Sequence, residues 1–404
     1  MGFFGYKKRT RSAQYFDYPL MAAVVLLLAF GLVMLCSASY YAGRLENDYM
    51  GYFQRQLGYA LGVVALMIIL PIFSYRRLFT LSWAFYFLAL AAMAAVHVPG
   101  MGVVSHGARR WLHLGPFRFQ PSELGKVAVI VFLPMVILKL GKKMRQFRSV
   151  FLLLLIVGIQ AGACMVLTDN LSTALIIFGI GYVVIFVAYP RTKQFVLVTL
   201  GVGAVFAACV PIVLRLMEGS FRLTRIRVWL DPASNLSDGG WQVMQALYAI
   251  GSGGLLGKGL GNSTQKLGWI PEAQNDMIFA IVCEELGIFG ALILLGLFVY
   301  IIFRLVFIAQ NAPDVYGALM VTGVTAHIAI QVILNICVVL NVIPTTGVTL
   351  PLVSYGGTAL LIQGFEICIA LSVSRRIAFA EAEIGPAGKK RRKYRSAREE
   401  AAGV

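Results

Sequence analysis

The sequence contains repeated apolar runs of about 20 residues, each bounded by charged residues or by glycine and proline. Such a run is what an α-helix needs to cross a bilayer core of roughly 30 Å. The composition agrees, because 59% of the 404 residues are hydrophobic and only 13% are charged, whereas soluble domains carry about 25% charged residues. We therefore expect an all-α polytopic membrane protein with ten transmembrane helices, at 19–40, 57–75, 78–98, 121–140, 149–167, 172–190, 195–214, 277–308, 316–341 and 355–374.

The basic residues indicate the orientation of these helices. They cluster in the first 11 residues, at 141–148 and at 388–395, whereas the connections 168–171 and 342–354 contain no Lys or Arg. Because Lys and Arg concentrate in cytoplasmic connections, both termini are expected to be cytoplasmic. The net charge of +17 is then a topology signal at an anionic membrane face, and we predict no nucleic-acid binding.

This orientation divides the chain into three parts. Residues 1–18 form a cytoplasmic N-terminal tail, 19–378 the ten-helix membrane domain, and 379–404 a basic tail that lacks apolar periodicity and is expected to be disordered. One large extracytoplasmic loop, 215–276, connects helices 7 and 8.

Two segments predicted on the outer side carry much positive charge. The first, 99–120, is also a candidate for re-entering the membrane, and the second is the loop 215–276. Long loops escape the positive-inside rule and are usually functional in a compact protein. We predict a site for an anionic head group among their basic and tryptophan residues: Arg109, Arg110, Arg118, Arg215, Arg222, Arg225, Arg227, Lys258, Lys266, Trp111, Trp229, Trp241 and Trp269.

Several acidic residues lie in or beside apolar runs. Glu123 and Lys126 stand three apart on one helix face, either as a simple ion pair near the helix start or as the lining of a cavity. Asp276 precedes the run 277–308, where it could cap the helix or serve as a general base whose pKa is raised by partial desolvation. Glu284 and Glu285 are adjacent and cannot share a helix face, so at least one needs a Lys, Arg or amide partner or must be protonated.

Two further patterns leave alternatives open. The segment "GSGGLLGKGLGNSTQK", 251–266, matches neither the Walker A nor the dinucleotide-binding pattern; it is either a flexible turn or a backbone that approaches another surface closely. The ninth helix carries a polar stripe with a spacing of four residues, and the tenth helix also contains polar residues. These residues could form hydrogen bonds between the helices, or the histidine and the glutamate could form a proton relay. The set is His327, Gln331, Asn335, Gln363 and Glu366.

Three long segments carry a family resemblance. "GARRWLHLGPFRFQPSELGK", "AIGSGGLLGKGLGNSTQKLGWIPEAQNDMIFAIVCEELG" and "NVIPTTGVTLPLVSYGGTAL" resemble, in order and content, signature segments of the SEDS family (shape, elongation, division and sporulation). The resemblance covers everything except the two tails. The residues of the last two segments are more similar to the division-type FtsW branch, or its sporulation relative, than to the elongation-type RodA branch.

The resemblance implies a peptidoglycan glycosyltransferase that polymerises lipid II at the outer face of the bacterial cytoplasmic membrane, in the division septum. It implies that Asp276 is essential and that Glu123, Lys126, Arg109, Arg110 and Trp111 belong to the site. Among candidate substrate-binding residues we also place Lys258, Lys266 and Ser354. The chain departs from the family where it reads "TDNLSTA", with Asp169 one place early and Asn170 at the usual aspartate position.

The chemistry of lipid II suggests a mechanism. Its sugar is α-linked to pyrophosphate and the glycan is β-linked, so the reaction inverts the anomeric centre. We expect Asp276 to deprotonate the acceptor 4-hydroxyl, while basic residues, with a divalent cation (Mg²⁺ or Mn²⁺) as a candidate cofactor, hold the departing undecaprenyl pyrophosphate. A class B penicillin-binding protein (a transpeptidase) and other division proteins are the implied partners.

Two other functions are open at this stage. A lipid-linked precursor transporter (flippase) would also need many spans and buried polar residues, although transporters often contain inverted repeats and no convincing repeat is found. A scaffold that recruits a transpeptidase would leave the buried charges unexplained.

Overall fold

The structure is a computed structural model that describes residues 13–45, 48, 50–105, 108–114, 117–201 and 221–379. Nine of its helices are long and apolar enough to span a membrane among these residues: α1 Tyr18–Ala38, α3 Gly51–Ile69, α4 Arg77–Ala95, α5 Pro121–Leu140, α6 Phe147–Leu167, α7 Leu171–Ala188, α10 Ile278–Gln310, α11 Val315–Val339 and α12 Gly357–Ser374. Three shorter helices also lie among these residues: α2 Tyr40–Leu45, α8 Phe221–Leu230 and α9 Gly240–Gly253.

These nine helices match nine of the ten predicted spans. For the predicted span 195–214, residues 192–201 are helical and the remainder lies outside the described part of the chain. The predicted run 277–308 forms α10, but not as a continuous helix. Gly287 has φ 65° and ψ −163° and breaks it into two pieces.

Helix α5 lies in the centre of the bundle. It packs against α4, α6, α7, α11 and α12, and nearly all of its side chains between Pro121 and Ile137 are buried. A helix that is apolar all round is the kind that can occupy such a position. Pro121 is at the first helical turn, as predicted, where its missing N–H leaves no bond unmade.

One end of the bundle joins the two chain termini. Strand β1 (Ala13–Gln14) pairs antiparallel with β5 (Ala378–Phe379). Next to this pair Asp17 caps α1 by accepting from the Leu20 N–H, and Arg304 of α10 donates two hydrogen bonds to its carboxylate, at 3.1 and 2.8 Å.

The opposite end carries the irregular segments. The described residues of the segment proposed to re-enter the membrane include a three-stranded antiparallel sheet of β2 Gly102–Ser105, β3 Ala108–Leu114 and β4 Phe117–Phe119. The described part of the predicted outer loop contains α8 and α9. Residues 341–356, between α11 and α12, are neither helix nor strand.

Candidate active site

The irregular segment 341–356 is held in place by amide side chains from the surrounding helices. Within a membrane, backbone that is not helical must find its hydrogen-bond partners in the protein. Asn335 Nδ2 donates to the carbonyl oxygens of Val348 and Asp276, both at 2.8 Å. The other contacts of this kind are Gln331 Nε2 to Thr349 O at 2.9 Å, Leu352 N to Gln363 Oε1 at 2.9 Å and Gln56 Nε2 to Ser354 O at 3.1 Å.

These contacts bring Asp276 against the segment. A Cβ built on Gly347, which has φ +68°, would lie 3.9 Å from Asp276 Oδ2. The capping alternative is wrong, because Met277 is the N-cap of α10 and no side chain caps this helix. Asp276 is partly buried, and its carboxylate faces the segment.

Burial chiefly raises the pKa of Asp276, to about 6. A hydrogen bond from its own backbone N–H opposes this rise, the negative charge of Glu272 adds to it, and the positive charge of Arg225 opposes it. A carboxyl group with this pKa is ionised at neutral pH and still takes up a proton readily, as a general base requires.

One arginine lies near this carboxylate, and a second arginine from a different segment lies near the first. Arg225 of α8 donates to Thr345 O at 3.1 Å and lies within electrostatic range of Asp276, Asp169 and Arg110. Burial, and then the neighbouring Arg110, lower the pKa of Arg225. Two neighbouring guanidinium groups, one of them in range of a carboxylate, suit a substrate that carries a pyrophosphate.

The departure at Asp169 and Asn170 has a structural explanation. Asn170 caps α7, its Oδ1 accepting from the Thr173 N–H at 3.1 Å. Asp169 adopts a left-handed backbone with φ 46°, and its carbonyl oxygen accepts from Arg110 at 2.9 Å. An asparagine is a good helix cap, and the turn before it positions Arg110.

Glu123 and Lys126 form the predicted ion pair on α5. Lys126 Nζ lies 2.8 Å from Glu123 Oε1, and both side chains are buried. The second carboxylate oxygen, Oε2 of Glu123, and the hydroxyl of Ser122 are buried with no partner. The structure thus contains the ion pair, and the cavity-lining alternative stays a prediction.

The two lysines of the predicted outer loop, Lys258 and Lys266, form ion pairs with glutamates of α10. Lys258 Nζ lies 2.6 Å from Glu284 Oε1, and Lys266 Nζ lies 2.8 Å from Glu285 Oε1. Both acidic residues of α10 therefore have the cationic partner that their burial requires. The hypothesis that these lysines bind substrate stays a prediction, and their geometry indicates a structural role.

The glycine-rich segment that supplies these lysines packs against the break in α10. Lys258 N and Gly259 N donate to the carbonyl oxygens of Glu284 and Glu285, both at 2.9 Å. A Cβ on Gly257 would lie 2.2 Å from Glu285 O. The close-approach alternative is correct for this segment, because only glycine allows the two backbones to come so near.

Two other candidates lie on the three-stranded sheet, and a third lies in the irregular segment. Arg109 is exposed on β3, where Trp111 pairs with Val103. The Ser354 hydroxyl accepts from the Leu350 N–H at 2.8 Å and so shapes the irregular segment. Arg215 and the side chain of Arg222 lie outside the described residues. Sequence reasoning included Arg225 only as one basic residue of a long loop, and nothing in its local pattern singled it out.

The residues around Asp276 do not by themselves fit a metal ion. In the described part of the chain, no group of three or more His, Cys, Asp or Glu side chains could hold one. The positive charge that acts on Asp276 comes from Arg225. The divalent cation therefore stays a prediction, for an ion whose further oxygen ligands would come from the substrate's pyrophosphate.

Comparisons with known proteins agree with this architecture. The profile of the family described as "Cell cycle protein" (FtsW, RodA and SpoVE) matches residues 18–378. "Stage V sporulation protein E" of Bacillus subtilis (strain 168) is 38% identical over 361 residues, which cover 89% of this chain and 97% of that protein. "Probable peptidoglycan glycosyltransferase FtsW" of Trichlorobacter lovleyi (strain ATCC BAA-1151 / DSM 17278 / SZ) is 34% identical over 377 residues, 93% and 97% of the two chains.

A solved structure gives the same result for the fold. It is titled "Structural coordination of polymerization and crosslinking by a peptidoglycan synthase complex" and superposes with a TM-score of 0.74 at 30% identity, covering 89% of this chain and 98% of that one. The residues that the family profile matches, 18–378, contain every segment of the site. The chain belongs to the FtsW, RodA and SpoVE family of integral membrane proteins.

Proposed function

We propose that this protein is a peptidoglycan glycosyltransferase that polymerises lipid II into β-1,4 glycan strands and releases undecaprenyl pyrophosphate. The relatives named as glycosyltransferases support this activity. The observation that carries the proposal is the position of Asp276: a partly buried carboxylate with a pKa of about 6, in range of Arg225, which in turn neighbours Arg110.

Asp276 acts as the general base of a single inverting displacement. Its carboxylate accepts the proton of the acceptor sugar's 4-hydroxyl as that oxygen attacks the anomeric carbon of the donor. The bond from this carbon to the pyrophosphate oxygen breaks, and the negative charge moves onto the leaving group. Arg225 and Arg110 bind that charge, which is the largest electrostatic change along the reaction.

The predicted topology fits this chemistry. With ten spans and both termini in the cytoplasm, Asp276, the sheet β2–β4 and helices α8 and α9 lie at the outer face of the bacterial cytoplasmic membrane, where the glycan is built. We propose that the protein works in the division septum with a class B penicillin-binding protein. A structural relative described as part of a peptidoglycan synthase complex supports such a partnership.

One assay separates this activity from transport of a lipid-linked precursor. Purified protein is incubated in detergent with labelled lipid II, alone and with a class B transpeptidase, and the products are separated by size. We expect glycan polymer, because polymerisation needs no sealed compartment. No polymer in either arm, together with movement of lipid II across vesicles that contain the protein, would support the transporter instead.

A further inference from the structure

A continuous line of buried hydrogen bonds connects α12, α11 and α5. Glu366 Oε2 lies 2.6 Å from His327 Nδ1, and His327 Nε2 lies 2.7 Å from Gln331 Oε1. Gln331 Oε1 also accepts from Lys126 Nζ, at 3.4 Å, and Lys126 reaches Glu123. All five side chains are buried. The chemistry proposed above uses neither His327 nor Glu366.

The partners of Gln331 fix the orientation of its amide. Its Nε2 donates to the carbonyl oxygen of Thr349 at 2.9 Å, and an ammonium group such as Lys126 can only donate. The atom that faces both Lys126 and His327 is therefore the amide oxygen. Because an amide oxygen only accepts, His327 must carry a proton on Nε2.

This requirement also limits the state of the His327–Glu366 pair. With Nε2 protonated, a single further proton lies between Nδ1 of His327 and Oε2 of Glu366. Whichever atom holds it, the pair as a whole is neutral. A neutral pair is what a fully buried position inside a membrane helix bundle favours, because an isolated charge there is costly.

Gln331 connects this line of hydrogen bonds to two parts of the candidate active site. Gln331 holds Lys126 on one side and, through Thr349, the segment that contains Gly347 on the other. One turn further along α11, Asn335 holds the Asp276 backbone. A change in the Gln331 amide would therefore displace Lys126 and the segment facing Asp276 together.

We propose that His327 and Glu366 are positioning residues for polymerisation: Glu366 keeps the proton of His327 on Nε2, which fixes Gln331 as a double acceptor and so holds Lys126 and Thr349 at the site. Neither residue touches the substrate. This role rests on the glycosyltransferase function proposed above.

The test compares two substitutions that both remove the carboxyl group. In Glu366→Gln the new amide N–H can donate to Nδ1 and preserve the Nε2 proton, so kcat/KM should stay within about threefold of the unsubstituted protein. In Glu366→Leu the Nδ1 atom loses its partner and the proton is free to move, so kcat/KM should fall at least tenfold, on the order of one lost charge-assisted hydrogen bond. Equal Tm values for the two variants exclude a folding defect.

Two results would overturn the proposal. Equal activity of folded Glu366→Gln and Glu366→Leu would show that the hydrogen bond to Nδ1 is not needed, and equal loss in both would show that the acid itself is needed. Independently of any variant, ¹⁵N NMR of the labelled protein must show a proton on Nε2 of His327, and a proton on Nδ1 alone contradicts the proposal. The NMR result does not depend on polymerisation, so failure of the proposed function is recognised separately, by the absence of polymer from the unsubstituted protein.

Discussion

Lys266 Nζ lies 2.8 Å from Glu285 Oε1 at the point where α10 breaks, and both side chains are buried. The same ammonium group donates to Ser37 of α1 and to Gly261 O, both at 2.7 Å. Glu285 also accepts from Ser37, at 2.6 Å. This cluster connects α1, the glycine-rich segment and α10, so it stabilises the helix piece that follows Asp276.

Substitution of Lys266 by Met should lower the stability of the protein strongly. It leaves the Glu285 carboxylate buried without its cation, a change that costs about 3–5 kcal/mol in buried pairs. Thermal unfolding in detergent gives the Tm. The double variant Lys266→Met/Glu285→Gln should recover part of the lost stability. Lys258→Met should lower the Tm less than Lys266→Met, because the Lys258 side chain is 33% exposed. Equal Tm values for Lys266→Met and Lys258→Met would contradict the account.

Substitution of Gly257 by Ala should separate the glycine-rich segment from α10. The residue has φ +78° and its added Cβ would overlap with Glu285 O, so we expect a loss of more than about 1 kcal/mol. Gly251 in α9 is the matched control, because a Cβ there meets nothing within 4 Å and alanine favours a helix. Thermal unfolding of both variants checks this prediction, and a lower Tm for Gly251→Ala than for Gly257→Ala would contradict it.

The break in α10 shows what could be predicted from the sequence and what could not. The need of Glu284 and Glu285 for partners followed from their burial in an apolar run, and both have lysine partners. Which lysines pair with these glutamates could not be predicted, because it depends on the path of a loop. The paired residues are 26 and 19 positions apart in the chain. The non-helical backbone of Gly287 was not predicted either, because a single glycine in an apolar run is compatible with an unbroken helix.

The site itself was predicted in part. Helical geometry predicted that Glu123 and Lys126 share a face, and the structure contains their ion pair. It also predicted the polar stripe of α11, in which His327 contacts Gln331. Arg225 was included only as one of many basic residues and was not singled out, because its proximity to Asp276 depends on the tertiary packing of α8. The strands of 102–119 were missed because their alternation is short and interrupted by glycines.

The rate of polymerisation should fall as the pH decreases through about 6. The pKa of Asp276 has this value, and only the ionised carboxylate can accept a proton. Arg225→Gln removes a positive charge that lowers this pKa, so the acid limb of the pH–rate profile should move to higher pH. Arg227→Gln, on an exposed position of the same helix, should leave it in place. A profile that Arg225→Gln does not move would contradict the electrostatic role of Arg225.

Substitution of Asp276 by Asn should increase stability above pH 6. The pKa of Asp276 is higher in the folded protein, about 6, than its ordinary 3.8, so the ionised carboxylate destabilises the fold. This cost is fully present above pH 6 and disappears below about 3.8, since the group is then protonated in both states. The expected gain in free energy of unfolding at pH 8 is on the order of 1–3 kcal/mol. Thermal unfolding at pH 8 and pH 4 checks it, and a lower Tm for the variant at pH 8 would be the contrary result.

The most direct test measures lipid II polymerisation by Asp276→Asn, with lipid II binding measured on the same preparation. Asp238→Asn, an identical change on an exposed turn, is the control. If Asp276 is the general base, binding is retained while the polymerisation rate falls by about 10²–10⁴, and the control keeps its rate. If folded Asp276→Asn protein extends glycan chains at nearly the rate of the unsubstituted protein, Asp276 is not the base.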